Sequence, residues 1–383
     1  MAVSRILPPP TQVDANDWTW KKWFQDIYLY NQGGILVPNS NIMPVYSSNR
    51  NVLINGDFQI WQRGTSFTVG AVAKAFGPDK WTQGRGSVAG STMARGTVTT
   101  TSTDYPLPKQ FKYYCRCQRT AGDTSTADVS FGQAMESNNV TWLRGKTVVL
   151  SFWARKGSGF AGDSFLARIF TGTGTNENVS SGMTGRLNPF TATVPLSTTW
   201  KFFQYYGTID IGANSLSVLF SYHTPSNATA AANEYFDITG VQLEIARDES
   251  NPVATAFDYQ PFDVQHVRCS RYFQKSFSYA TTPAQNAGDA GVFTLPCIVA
   301  GSGVNNTSTM SFQGKMATTP TFTFYNPHAA NAFAWNYQRS NSSTAISTNG
   351  LGEGTTAVAV TGVFGSWVVG DLIGFHWTAD ADF

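Results

Sequence analysis

Two hydrophobic periodicities alternate along the chain and divide it into three parts. Near the N-terminus, ANDWTWKKWFQDIYLYNQGG places Trp20, Trp23, Phe24, Ile27 and Tyr30 at i, i+3, i+4, i+7 and i+10. That spacing predicts one stripe of an α-helix. Trp18 stands just ahead of the stripe, Asn16 or Asp17 can cap its start, and Gly33 can end it. A helix of about 16 residues is marginal alone in water, so the stripe must bury itself. It can pack on its own domain, on copies of itself in a small bundle, or on a partner. Pro8-Pro9-Pro10 before it favours an extended leader. Residues 1–48 therefore read as an attachment arm with one helix.

From residue 49 to 262 the period is two. SLSVLFSYH puts Leu216, Val218, Phe220 and Tyr222 on one face. TVVLSFWARKG and KFFQYYGTIDI are long apolar runs with both faces at least partly covered, as inside a sandwich of two sheets. In YFDITGVQLEI, Phe236 and Ile238 have one parity, and Val241, Leu243 and Ile245 the other. A bulge at Gly240 reconciles them and leaves Gln242 and Glu244 pointing outward. Residues 263–383 give about five shorter strands, among them GVFTLPCIVA, TFTFYN, AFAWNYQR and LIGFHWTADADF, separated by Ser/Thr/Asn/Gly loops. That is little apolar surface for a stable monomer. The expected fold class is mainly β: arm, β-sandwich, C-terminal β-domain.

Composition agrees. Of 383 residues only 13% are charged and 14% are aromatic, a mix that favours strands and turns over helices. The net charge is +2 with no basic block, which argues against a nucleic-acid partner. No run approaches the ~18 apolar residues of a membrane helix, so no membrane insertion is expected. The N-terminus lacks a core of signal-peptide length, and the chain is expected in the cytoplasm where it is made or in a larger assembly. The N-x-S/T tripeptides at Asn139, Asn178, Asn227 and Asn341 follow from composition. Cys115, Cys117, Cys269 and Cys297 lack zinc spacing and read as buried free thiols.

The stretch INGDFQIWQRGTSFT, residues 54–68, reads as the first strand of the sandwich. Asn55-Gly56 supplies a turn, Phe58 and Ile60 face one sheet, and Trp61 covers an edge. A domain that begins this way, continues to FGPDKW at 76–81 and ends in FDITGVQLE at 236–244 resembles the jelly-roll, carbohydrate-binding-module-like domain of bacteriophage tail fibres and related virion fibre proteins. FDYQPFDVQHVRCSRYFQKSF (257–277) is similar to that family's junction, and GKMATTPTFTFYN (314–326) and GFHWTADADF (374–383) to its C-terminal β-domain. The resemblance covers roughly residues 50–383, and its motifs are structural. Lys80 stands where the family pattern has Arg, a small departure if the stem alone packs. The resemblance implies a homotrimer within a virion, assembled in the host cytoplasm, with residues 1–48 bound to other virion proteins.

If the first and last strands lie side by side, Asp57 comes near Asp237 or Glu244, and such a pair, Asp57 with Asp237 first, can hold a structural calcium; otherwise Asp57 caps the turn and Asp237 bonds nearby backbone. No other cofactor is expected. No catalytic motif is present. Asp163, Glu177, Glu234 and Asp237 are carboxylates that nothing pairs into a glycosidase site. Glycan binding needs less: an exposed ring for the sugar's apolar face and a few polar groups for its hydroxyls. FYNPHAANAFAWNYQRS offers Tyr325, His328, Trp335, Tyr337 and Arg339 for a host cell-surface glycan, with Trp81, Arg85 and Tyr105 as a second set. The expectation is a non-enzymatic virion fibre or spike subunit. Its rivals are a structural head or tail decoration protein and a polysaccharide depolymerase.

Overall fold

A computed structural model describes residues 50–70, 75–85, 90–99, 104, 107–108, 110–224, 229–298, 305–349, 357–363 and 368–383. The predicted helix with Trp18, Trp20, Trp23, Phe24, Ile27 and Tyr30 lies outside these residues, as does Tyr105. Asn51–Phe383 forms one compact unit, mainly β, whose described residues make three antiparallel sheets.

Twelve strands build the sandwich: β1 Ser66–Val69, β2 Ala75–Phe76, β3 Thr82–Arg85, β4 Ser91–Thr97, β5 Tyr113–Arg119, β6 Val129–Met135, β7 Thr147–Lys156, β8 Ser164–Gly172, β9 Leu187–Pro195, β10 Lys201–Thr208, β11 Ser215–Tyr222 and β12 Tyr235–Ile245. One sheet runs β1-β4-β5-β12-β7-β10 and the other β2-β3-β6-β11-β8-β9. The core between them contains Phe131, Phe152, Phe165, Val218, Phe220, Phe236 and Leu243, with Cys115 and Cys117 as buried free thiols beside them. The expected bulge is present: β12 shifts register against β7 between Thr239 and Gln242, where Gly240 has φ +61°. Gln242 and Glu244, however, are buried. The segment after β12 folds back over them: Asp258 N donates to Gln242 Oε1 at 2.7 Å, and Thr255 N and Oγ1 donate to Glu244 at 2.7 Å each. KFFQYYGTIDI also departs from expectation. Its strand β10 is a sheet edge, with Phe202 and Tyr206 exposed.

Only the end of the opening stretch is strand, where β1 begins at Ser66. Residues 51–65 run as turns and coil, with Asn55 and Phe58 both at φ +55°. Buried amide side chains replace the ladder. Gln133 accepts from Ile54 N and donates to Ile54 O, each at 2.8 Å. Asn51 donates to Val241 O and accepts from Leu243 N. Asn55 accepts from Ile60 N and donates to Ile60 O and Asp79 O. Such pairing satisfies backbone groups that burial would otherwise leave orphaned. Phe58 and Trp61 enter the sandwich core, where Phe58 meets Trp81 edge-on at 5.3 Å. Ile60 faces away, into a separate cluster with Ile54, Cys269 and Tyr272.

That second cluster joins the C-terminal part. Helix α1, Phe262–Ser270, has Asp263 in its first turn and Arg268 in its last, matching the helix dipole. Its Gln265 accepts from Asn55 N. The third sheet holds β13 Phe273–Lys275, β14 Phe293–Pro296, β15 Asn305–Ser311, β16 Thr321–Tyr325, β17 Phe333–Asn336, β18 Asn341–Asn349, β19 Ala357–Val363 and β20 Leu372–Asp380. β20 is its hub and pairs with β13, β14, β16 and β17. At the junction Lys80 is buried whole. Its Nζ lies 4.0 Å from the Tyr272 ring centroid, 3.8 Å from that of Phe383 and 3.3 Å from Asp382 Oδ1. The charged head is used along with the stem, contrary to the stem-only expectation.

Candidate functional site

Two buried asparagines shape the surface that carries the aromatic stretch. Asn326 Oδ1 accepts from His328 N at 2.9 Å and Ala329 N at 3.0 Å, and its amide donates to Asn331 and Ser342. Ten residues later Asn336 Oδ1 accepts from Gln338 N at 3.0 Å and Arg339 N at 3.1 Å, and its amide donates to Asp371. Each side chain closes a turn on the backbone that follows it. The first turn presents His328. The second follows Trp335 and presents Tyr337. Gly374, opposite Trp335 on β20, leaves room for the tyrosine: a Cβ there would lie 2.6 Å from Tyr337 Cε2.

These turns bring three of the five expected residues together. The His328 ring lies 5.0 Å from that of Trp335 and 5.8 Å, edge-on, from that of Tyr337. Asp289 joins them from the loop before β14. Its Oδ1 accepts from the Tyr337 hydroxyl at 2.6 Å and lies 2.8 Å from His328 Nε2. The Asp289 side chain is 58% exposed and that of His328 34%, so the cluster is open to solvent. The Tyr337 hydrogen bond, with that of His328 behind it, holds the Asp289 carboxyl below its ordinary value. Burial and the Asp289 contact push the Tyr337 hydroxyl up. At neutral pH the cluster is a carboxylate held by His328 and Tyr337, with Trp335 against the histidine ring. A sugar's apolar face can rest on the rings while Asp289 Oδ2 accepts from its hydroxyls.

The other two residues are elsewhere. Arg339 pairs with Asp371 at 2.8 Å. Tyr325 stands edge-on to Phe277, its hydroxyl 3.4 Å from Thr378 Oγ1. Asp289 escaped sequence reading because 48 residues separate it from Tyr337 and its own surroundings, NAGDAG, read as loop. In the second set Trp81 is fully buried, donating its indole N–H to Ile54 O at 2.9 Å. It is core, as large rings usually are.

The calcium reading does not fit. Asp237 receives both Arg116 and Arg155, at 2.8–2.9 Å, which occupies its two oxygens. Asp57 is buried with Gln59, and burial raises its carboxyl above the ordinary value. Among the described residues no three His, Cys, Asp or Glu side chains are grouped to hold a metal. The remaining carboxylates raised as glycosidase candidates are engaged separately: Asp163 with Lys156, Glu177 with Thr184, Glu234 with Arg119 and Tyr222.

No family model and no curated protein matches the sequence. Solved structures similar to it include carbohydrate-binding modules and a phage tailspike domain. The enzymatically active domain of tailspike protein 4 of bacteriophage CBA120 is 15% identical, with 51% of this chain and 21% of that one covered and a TM-score of 0.30. The module TmCBM61, solved with β-1,4-galactotriose, is 15% identical over 51% of this chain and 99% of that one, TM-score 0.28. The CBM22-1 xylan-binding domain of Paenibacillus barcinonensis Xyn10C is 13% identical over 48% and 96%, TM-score 0.29. The overlaps are partial, and the functional reading rests on the side chains described above.

Proposed function

We propose that this chain is a non-enzymatic fibre or spike subunit of a virion that binds a host surface glycan through Asp289, His328, Trp335 and Tyr337. The observation that carries the reading is the solvent-open carboxylate held by His328 and Tyr337 beside Trp335, on two turns built by buried asparagines. The reading keeps the arm, residues 1–48, as the contact to other virion proteins, and it keeps the homotrimer. The exposed aliphatic side chains of Ile298, Val368 and Val369, at 64%, 48% and 65%, support self-association. Light scattering of the full chain should give three times the 41.7 kDa chain mass; a monomer removes the trimer from the proposal.

The test of binding is an array of bacterial surface polysaccharides probed with the full chain and with Trp335→Ala. Saturable binding that falls at least tenfold in the variant supports the reading. A folded chain that binds no polysaccharide leaves the structural decoration protein. Shortened polymer after incubation makes it a depolymerase.

A further inference from the structure

A second polar surface shares no lining residue with the cluster at Asp289. β16 and β20 run antiparallel with Thr321 opposite Asp380, Thr323 opposite Thr378 and Tyr325 opposite His376. The period of two sends Phe322 and Phe324 into the C-terminal core with Trp377 and Ala379. It sends Thr321, Thr323, Tyr325, Thr378 and Asp380 to the other face, which forms one wall of a cleft of about 520 Å³. Arg63 and Phe76 from the sandwich contribute to the lining, together with Phe273. The volume is in the range of small-molecule sites.

The chemistry of the walls is specific. Arg63 lies 3.9 Å from the Phe273 centroid and 4.8 Å from that of Phe76, and its Nη2 is shared by Asp380 at 3.0 Å and Asp382 at 2.7 Å. Its buried Nη1 has no hydrogen-bond partner among the described residues. Arg63 and Lys80 together balance Asp380 and Asp382, so the ion pairs are closed among themselves and leave no net charge to hold an ionic ligand. Three threonine hydroxyls and a tyrosine hydroxyl can each donate and accept. Asp380, with a side chain 36% exposed, adds an acceptor. Phe76 and Tyr325 supply ring surface. Hydroxyls arrayed at strand spacing with rings beside them match the paired hydroxyls and apolar face of a sugar.

We propose that this cleft is a second carbohydrate site, for a neutral pyranose unit, independent of the cluster at Asp289. The test is saturation-transfer NMR of the full chain with the methyl glycosides of galactose, glucose, mannose and N-acetylglucosamine, and with glucuronate. Wild type, Thr323→Val and Trp335→Ala are compared after equal thermal unfolding midpoints have been checked. Thr323 is exposed, so its isosteric replacement should fold; Thr321→Val serves if it does not. The expected result is transfer to at least one neutral glycoside, retained in Trp335→Ala, reduced at least fivefold in Thr323→Val, and absent for glucuronate. No transfer to any neutral glycoside overturns the proposal. So does a preference for glucuronate. Transfer lost in Trp335→Ala but unchanged in Thr323→Val also overturns it while supporting the outer cluster, so the two sites fail separately.

Discussion

Lys80 shows how one side chain can tie a fold together. An ammonium taken out of water loses several kcal/mol of hydration unless it is paired. Here the pairing is one carboxylate at 3.3 Å and two ring faces at about 4 Å, and each ring adds ~1–2 kcal/mol when desolvated. Burial still wins enough to lower the amine below its ordinary value, although Asp382 opposes it. Lys80→Ala should therefore cost about 3–4 kcal/mol, because it empties the pocket and takes one of two cations from the buried Asp382. Lys80→Met keeps the stem against the rings and should cost less than half as much. Urea midpoints of the two variants check the ordering, and equal losses would mean that the charge, not the packing, dominates. From sequence the position was legible only as a member of FGPDKW. Its partners Tyr272, Asp382 and Phe383 lie about 190 to 300 residues away, and no local pattern points to them.

At the scale of elements, parity along a strand was readable and coverage was not. The two halves of YFDITGVQLEI have opposite parities, and a bulge is what backbone geometry allows between them. Gly240 sits at φ +61°, and a Cβ there would lie 2.5 Å from Phe111 Cζ. Gly240→Ala should cost about 2–4 kcal/mol, from the left-handed backbone and the clash together, read as a lower thermal midpoint with the near-ultraviolet aromatic signal changed around Phe111. An unchanged midpoint would show that the loop carrying Phe111 gives way freely. Gln242 and Glu244 were misplaced because alternation tells which face a residue takes, and not whether a later segment covers that face. The opening stretch was misread for a related reason. INGDFQIWQ has a strand's composition, but Asn51, Asn55 and Gln133 satisfy its backbone with amides, which frees residues 55 and 58 for left-handed conformations. In FYNPHAANAFAWNYQRS the grouping was legible, since His328, Trp335 and Tyr337 do meet. The carboxylate that binds two of them was not.

Across the whole molecule, the sandwich and the C-terminal sheet share a polar seam, and its response to acid follows from Glu136. That carboxylate is buried and accepts from Arg271 Nε and Nη2 and from the Tyr272 hydroxyl, all at 2.6 Å. Burial pushes its pKa up, but the bonds from Arg271 and Tyr272 outweigh it, and the group ends below its ordinary value of 4.5. The unfolded chain then takes up a proton near pH 4.5 while the folded chain still refuses one. Stability from this group is complete above about pH 5 and is lost as pH falls through the depressed native value. Asp57 and Asp79, raised by burial, act in the opposite direction, so the wild-type acid limb is a sum and does not isolate Glu136. A difference does. Glu136→Gln should be less stable than wild type at pH 7 by about 1.5–3 kcal/mol, the usual loss of charged hydrogen bonds. The gap should narrow as pH falls below about 5 and through the depressed native value, where the wild type loses what the variant never had. Chemical denaturation at three pH values measures it. A gap that stays constant would mean that Glu136 binds its proton at the same pH folded and unfolded, and that the seam is held by shape and the buried Lys80 instead.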